Sequence, residues 1–348
     1  MSIKLSIAPR TLHFKQPAGT SRGVYTTRQS WFVTATDDAH PDILGVGECA
    51  PLPDLSCDAT PNYEERLKEL CNMVEAKGSI CYDTLRPYPS VLFGLETALL
   101  DLKRGGTGVL FDNSFARGET GIPINGLVWM GNYDEMLQRL EEKMRAGFRC
   151  VKLKIGAIDF DRELDLVRHI RSTFTKEQIE LRVDANGGFT ADCALQRLER
   201  LAQYDIHSIE QPIRQHQWEE MAALCKATPI PIALDEELIG VNDKTEKEEL
   251  LDRIRPHYII LKPSLHGGMY GSREWIALAG KRGIGSWITS ALESNVGLNA
   301  IAQFAADVYG ESITMPQGLG TGQLFTDNIP MPLEIRGDKL WRTFNASK

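Results

Sequence analysis

Asp184, Glu210 and Asp235 follow one another at intervals of 26 and 25 residues, and Lys262 comes 27 residues later. Each closes a short apolar run: Leu181-Arg182-Val183-Asp184, Ser208-Ile209-Glu210, Ile232-Ala233-Leu234-Asp235 and Ile259-Ile260-Leu261-Lys262. Three carboxylates brought together repel, and each resists ionising unless a cation balances them. A hard divalent ion with oxygen ligands meets that need, so the trio predicts a Mg²⁺ site in which Mn²⁺ can substitute. One such carboxylate alone would read as a surface salt bridge; three at matched run ends favour the metal.

Lys152 and Lys154 lie on an earlier run, Cys150-Val151-Lys152-Leu153-Lys154-Ile155. Two residues apart on a strand, they share a face, while Val151, Leu153 and Ile155 take the other. Burial and a neighbouring cation both lower the pKa of an amine. The expectation is therefore a neutral lysine serving as a base. The alternative, strongest for Lys152, is that the lysines only pair with the carboxylates. A base beside a divalent ion suits removal of a proton α to a carboxylate, the ion holding the enediolate that forms.

The elements between these runs are helical. Leu164, Val167 and Ile170 recur at steps of three, as do Leu195, Leu198 and Leu201 after Thr190, a candidate N-cap, and Trp218, Met221 and Leu224. Strand and helix alternating at a steady period imply a parallel sheet. A (β/α) unit needs roughly 25 residues, and a barrel keeps its chemistry at the C-terminal strand ends. The fold class is α/β, a TIM-type barrel. It starts at Pro123–Val128, continues through a helix Tyr133–Arg145, and later through a helix Ser272–Arg282. Its seventh strand is Gly285–Ser290, its eighth Ser312–Met315, and the glycine-rich loop Pro316–Gly322 follows.

Residues 1–105 read as a separate α+β unit, 106–323 as the barrel and 324–348 as a tail. In the first unit Leu5–Phe14 and Ser30–Ala35 are strands and Tyr63–Val74 and Ser90–Lys103 helices. Gly19–Gly23 and Gly45–Pro53 are loops. The chain has 348 residues, 42% of them hydrophobic, which suffices for both units. A net charge of −8 speaks against nucleic acid and anionic membranes as partners. No apolar run reaches membrane-spanning length, and the N-terminus lacks a signal-peptide pattern. Seven scattered cysteines without Cys-x-x-Cys imply a reduced, cytoplasmic protein, and no His-Glu-x-x-His pattern invites zinc. Oligomeric state stays open.

Lys-x-Lys, then Val183-Asp184-Ala185-Asn186, Ile209-Glu210-Gln211-Pro212, Leu234-Asp235-Glu236 and Leu261-Lys262-Pro263, in this order and spacing, resemble the enolase superfamily, muconate-lactonising subgroup. The resemblance implies that the first unit caps the barrel mouth with its two loops and that the tail packs back on it. Arg22 in the first loop would then meet a substrate carboxylate, or else is a solvated loop arginine. Glu48 in the second reads as a buried structural residue. Dipeptide-epimerising members carry Asp-x-Asp in the last loop, where this chain has Gly318-Leu319-Gly320-Thr321-Gly322. That loop, with Ser290-Ala291-Leu292-Glu293-Ser294-Asn295 after strand seven, resembles the o-succinylbenzoate synthases of menaquinone biosynthesis. Glu237, in Asp235-Glu236-Glu237, stands where many relatives have Ser.

This likeness implies a Mg²⁺-dependent syn dehydration of 2-succinyl-6-hydroxy-2,4-cyclohexadiene-1-carboxylate to 2-succinylbenzoate. Lys154 would take the α-proton and return it to the leaving hydroxyl. Lys262 would stand across the ring as a cation, and Lys152 beside the metal. Asn186, Ser290, Glu293 and Gly320 join Arg22 as expected substrate contacts. The alternatives are an epimerase or racemase of dipeptides or N-acylamino acids, with Lys154 and Lys262 as opposed bases, a muconate-type cycloisomerase, and an inactive barrel serving as a binding scaffold.

Overall fold

The structure, a computed structural model, describes residues 3–20, 23–129, 131–156, 158–310 and 313–343. The first unit opens with strands β1 (Ile3–Thr20), β2 (Gly23–Asp37) and β3 (His40–Cys49) in one antiparallel sheet, order β1-β2-β3. Helices α1 (Tyr63–Lys77), the four-residue α2 (Tyr82–Leu85) and α3 (Pro89–Lys103) cover it. Val33, Ala35, Leu67, Val74, Leu92 and Leu95 make its core.

Both expected loops differ from the expectation. Gly19 and Thr20 pair with Val24 and Gly23, so β1 and β2 run as one hairpin almost to its tip. Arg22 lies outside the described residues. Gly45 and Gly47 sit inside β3 rather than in a loop. A Cβ there would lie 2.1 Å from the Ala98 carbonyl oxygen and 1.9 Å from that of Gly94. These glycines let α3 press against the strand backbone; they mark close packing, not a turn.

The barrel follows. After β4 (Ile122–Pro123) come β5 (Gly126–Val128), α4 (Tyr133–Arg145), β6 (Cys150–Lys154), α5 (Phe160–Thr173), β7 (Glu180–Asp184), α6 (Ala191–Leu201) and β8 (Ile206–Glu210). Then come α7 (Trp218–Ala227), β9 (Ile232–Leu234), α8 (Lys244–Ile254), β10 (Tyr258–Leu261), α9 (Gly268–Gly280), β11 (Gly285–Ile288) and α10 (Asn295–Tyr309). Strands β5 to β11 form one parallel sheet in sequence order. Local chemistry sets the helix starts: Asn132 and Glu135 form a capping box on α4, and Asp159 caps α5. Thr190 precedes α6 but makes no side-chain cap; its hydroxyl turns to Cys193 Sγ at 3.1 Å.

The expected eighth strand is reduced and displaced. Ser312 lies outside the described residues, and Ile313–Met315 form no strand. Closure comes instead from two parallel bridges, Ile124 to Gln317 and Thr289 to Gly318. Pro316 has no N–H to offer a ladder. The Gln317 side chain partly substitutes, its Oε1 accepting Ile288 N at 2.7 Å. The chain ends in the hairpin β12 (Leu333–Arg336) and β13 (Lys339–Arg342), and β13 pairs with β4. Before it, Lys15 N donates to the Leu324 carbonyl at 2.8 Å, and the Phe14 and Phe325 rings meet at 4.6 Å. All seven cysteines are unpaired. Among the described residues no helix is long and apolar enough to cross a membrane.

Buried polar contacts join the first unit to the barrel. Glu48 accepts Ser30 Oγ at 2.7 Å, Ser294 N at 3.0 Å and Gly297 N at 3.0 Å, at the start of α10. Glu96 of α3 accepts Met269 N at 2.6 Å and Tyr270 N at 2.9 Å in the first turn of α9. Burial pushes Glu96 up to about 8, although the two N–H groups oppose it. The fold therefore binds its proton more tightly than the unfolded chain does. That stabilisation is complete below the ordinary carboxylate range and is lost as pH rises through about 8. Measured by urea unfolding, the wild type should lose stability relative to Glu96→Gln by at most about 1.4 kcal/mol per pH unit between about pH 5 and 8. A difference that does not change with pH would contradict this.

Candidate active site

The C-terminal ends of β6, β7, β8 and β10, with Glu236 after β9, bring ionisable side chains to one cavity of about 590 Å³. Asp235, expected among them, does not line it and is fully buried against Lys262. The cavity floor holds Lys152, Lys154, Asp184, Asn186, Glu210, Glu236 and Lys262. Register explains the convergence, since Lys154 pairs with Asp184 and Asp184 with Glu210 on neighbouring strands. Tyr25, Leu52, Leu55, Trp129 and Leu292 form apolar walls, and Phe14 to Ala18 of the hairpin overhang them. Buried Arg28 ties these walls together. It donates to the carbonyls of Ala50 and Pro51, and to that of Leu292 at 3.3 Å.

The six charged groups are interleaved. Lys152 Nζ donates to Glu210 Oε2 at 2.8 Å and lies 3.2 Å from Asp184 Oδ2. Lys154 Nζ donates to Asp184 Oδ2 at 2.9 Å and to Asn186 Oδ1 at 2.6 Å. Lys262 Nζ pairs with Asp235 Oδ2. Asp184 and Asp235 are fully buried and Glu210 is 3% exposed. Burial alone would raise Asp184, but Lys154 and Lys152 hold it below the usual carboxylate range. Glu210 is pushed up to about 8 by burial and by Asp184, against the pull of Lys152. Burial also raises Asp235, with Lys262 opposing.

The expected depression of the lysines is not found for Lys152 and Lys262. Burial lowers each, but Glu210 and Asp184 outweigh it at Lys152, and Asp235 does so at Lys262, so both are raised. Among the described residues no three Asp, Glu, His or Cys side chains are gathered as ligands around one point, because ammonium groups stand between the carboxylates. The donor set nevertheless fits a divalent ion. Asp184 and Glu210 sit on the cavity floor and Asp235 is fully buried against Lys262, burial and Asp184 push Glu210 up to about 8, and Asp235 Oδ1 is buried without a partner. An ammonium locked on a carboxylate cannot accept a proton. For one of these amines to act as a base, another cation has to balance the acids.

The remaining expected contacts divide. Asn186 lines the cavity at the end of β7 in a left-handed conformation, φ 43°, which asparagine tolerates. Ser290 and Gly320 also line it, and Ser290 Oγ meets Thr321 Oγ1 at 2.6 Å. Glu293 does not reach the cavity. It is fully buried, accepting Ser264 Oγ and, at 2.7 Å, Ala291 N, so it braces the loop whose residues 290–292 do line it. Glu237 has a similar task, accepting His216 N at 2.8 Å and Gln211 Nε2 at 3.3 Å. Sequence reasoning missed Glu236, which accepts Asn186 Nδ2 at 2.9 Å; its signal was adjacency to Asp235. Trp129 carried no signal, and Leu52 and Leu292, though in the Gly45–Pro53 and Ser290–Asn295 stretches, were passed over as apolar.

A mixed-charge cavity at the strand ends of a capped barrel is the layout of an enolase-type enzyme, and the chain belongs to the enolase superfamily. Residues 135–337 match the Enolase C-terminal domain-like family and residues 20–102 the MenC N-terminal domain family. The chain is similar to the o-succinylbenzoate synthase of Desulfotalea psychrophila, 48% identical over 97% of this chain and 98% of that one. The crystal structure of MenC from that organism superposes with a TM-score of 0.82 at 44% identity, covering 98% of this chain and all of the other. A dipeptide epimerase from Enterococcus faecalis, solved with Mg and L-Leu-L-Tyr, shares the fold at a TM-score of 0.82 with 18% identity, covering 99% and 98% of the two chains.

Removing one carboxylate should weaken the cation site. Glu210→Gln is expected to bind Mg²⁺ at least tenfold less tightly, about 1.4 kcal/mol, by calorimetry. Unchanged affinity would exclude Glu210 as a ligand.

Proposed function

We propose that this protein is an o-succinylbenzoate synthase, a hydro-lyase that converts 2-succinyl-6-hydroxy-2,4-cyclohexadiene-1-carboxylate to 2-succinylbenzoate in menaquinone biosynthesis. The observation that carries the reading is the set of Lys154, Lys262, Asp184 and Glu210 on one cavity floor, with Asp235 buried against Lys262, in a chain similar over nearly its whole length to such a synthase. Asp184, Glu210 and Asp235 would hold Mg²⁺, with Mn²⁺ able to replace it. When bound, the ion supplies positive charge for the substrate carboxylate and for the negative charge that develops there.

The chain's own residues do the rest. Lys154, freed from Asp184 as a neutral amine, takes the proton α to the ring carboxylate. The electron pair left behind expels the hydroxyl on the same face. Lys154 returns the proton to it, water leaves, and the amine is regenerated. Lys262, held at Asp235, stands over the ring as a cation facing the developing anion. Lys152, bridging Asp184 and Glu210, keeps these acids in place. The apolar walls from Tyr25, Leu52 and Trp129 exclude water from the intermediate. Asn186, Ser290 and Gly320 contact the substrate, and Arg22 is a further candidate. The seven unpaired cysteines support a cytoplasmic setting. The last loop, with Gly318 and Gly320 and no Asp-x-Asp, favours this reading over a dipeptide epimerase.

Lys154→Ala should lower formation of 2-succinylbenzoate about 10²–10⁴-fold, the usual worth of general acid–base catalysis. Lys262→Arg, which keeps a cation, should retain more activity than Lys262→Ala. Near wild-type turnover in Lys154→Ala would refute the assignment of the base.

A further inference from the structure

Asn186 is held from both sides. Its Oδ1 takes Lys154 Nζ at 2.6 Å, and its Nδ2 donates to Glu236 Oε1 at 2.9 Å. Its backbone N–H also donates to Asp184 Oδ1 at 3.1 Å, which fixes the turn it sits on. An ammonium or amine N–H can only donate along the first contact, and an ionised carboxylate can only accept along the second. The amide therefore has one orientation that satisfies both neighbours, and Glu236 is the group that selects it. Glu236 is 5% exposed, lines the same cavity and has its second oxygen buried without a partner. Glu236 also faces the Lys262 ammonium across the cavity, but its side-chain hydrogen bond goes to Asn186.

We propose that Glu236 is a positioning residue for the reaction, acting through Asn186. Its carboxylate turns the Asn186 carbonyl toward Lys154, and that carbonyl engages one N–H of the lysine so that the nitrogen lone pair points at the substrate proton. The inference rests on the reading of Lys154 as the base. Without Glu236 as acceptor, the amide is free to rotate and present its NH₂ to Lys154. The lysine then loses the contact that aims it, while Ser290, Gly320 and the carboxylates keep their places.

Two near-isosteric variants separate orientation from charge. Glu236→Gln removes the charge and keeps an oxygen that reaches Asn186. Glu236→Asp keeps the charge and withdraws the oxygen by one methylene. With Mg²⁺-saturated enzyme and the cyclohexadiene substrate, Glu236→Gln should keep kcat within about fivefold. Glu236→Asp should lose about 10²-fold in kcat at nearly constant KM, the effect of misplacing a catalytic group by about 1 Å. The primary deuterium isotope effect from α-deuterated substrate should rise in Glu236→Asp, because proton removal becomes limiting. In an Asn186→Ala background the difference between the Gln and Asp variants should vanish. The reverse order, with Asp active and Gln impaired, would overturn the proposal in favour of a charge effect. So would losses that multiply with Asn186→Ala, or a change confined to KM or to Mg²⁺ affinity by calorimetry. Lys154→Ala, run alongside, tests the underlying reading by itself: retained turnover there overturns both, whereas its loss leaves the order of the two Glu236 variants to decide.

Discussion

Burying Asp184, Glu210 and Asp235 at neighbouring strand ends constrains everything else in this molecule. Ions of one sign cannot be taken out of water together without counter-charge, and the fold pairs Lys152, Lys154 and Lys262 with Asp184, Glu210 and Asp235, with Glu236 a fourth acid beside them. The balance is nevertheless imperfect. Glu210 is pushed to about 8 by its burial and its neighbours, and Asp235 keeps a buried oxygen unpaired. A divalent ion held there, as proposed, would resolve both conflicts and would release amines for proton transfer.

Holding those groups in place needs a rigid frame under a closed roof. The parallel ladder from β5 to β11 sets the lateral order of the acids and bases. The roof is fastened by groups that never touch the chemistry. Glu48 meets the start of α10, Glu96 meets the start of α9, and Arg28 gathers Ala50, Pro51 and Leu292. Each joins the first unit to a barrel loop or helix end next to the cavity. Carboxylates at helix starts are favoured by the N–H groups exposed there, which suits them as anchors between the two units.

Much of this was legible in the sequence, for physical reasons. A (β/α) period forces ionisable residues at like positions onto neighbouring strand ends, so Lys152, Lys154, Asp184, Glu210, Asp235 and Lys262 could be placed together from spacing and alternation. The helix placed at Tyr133–Arg145 has those bounds as α4, and Trp218, Met221 and Leu224 fall in α7. What failed depended on contacts distant in sequence. Gly45 and Gly47 look like turn residues until α3 is seen pressed against them. The eighth strand was misplaced because Pro316 and the side chain of Gln317 decide the closure, and hydrophobicity does not report that. Glu293 read as a substrate contact because its loop is polar, yet its carboxylate turns inward to Ser264. Lys152 and Lys262 are raised rather than lowered because the expectation supposed acids already balanced by an ion, whereas here the acids act on the two ammoniums directly.

The central claim is that cation binding by the carboxylates frees Lys154 as a neutral amine. The ¹⁵N resonance of Lys154 Nζ reports this directly, assigned by comparison with Lys154→Arg in lysine-labelled protein. Addition of Mg²⁺ should move the signal from the ammonium to the amine position, as a base that accepts the substrate proton requires. A signal that stays at the ammonium position at saturating Mg²⁺ would contradict the account.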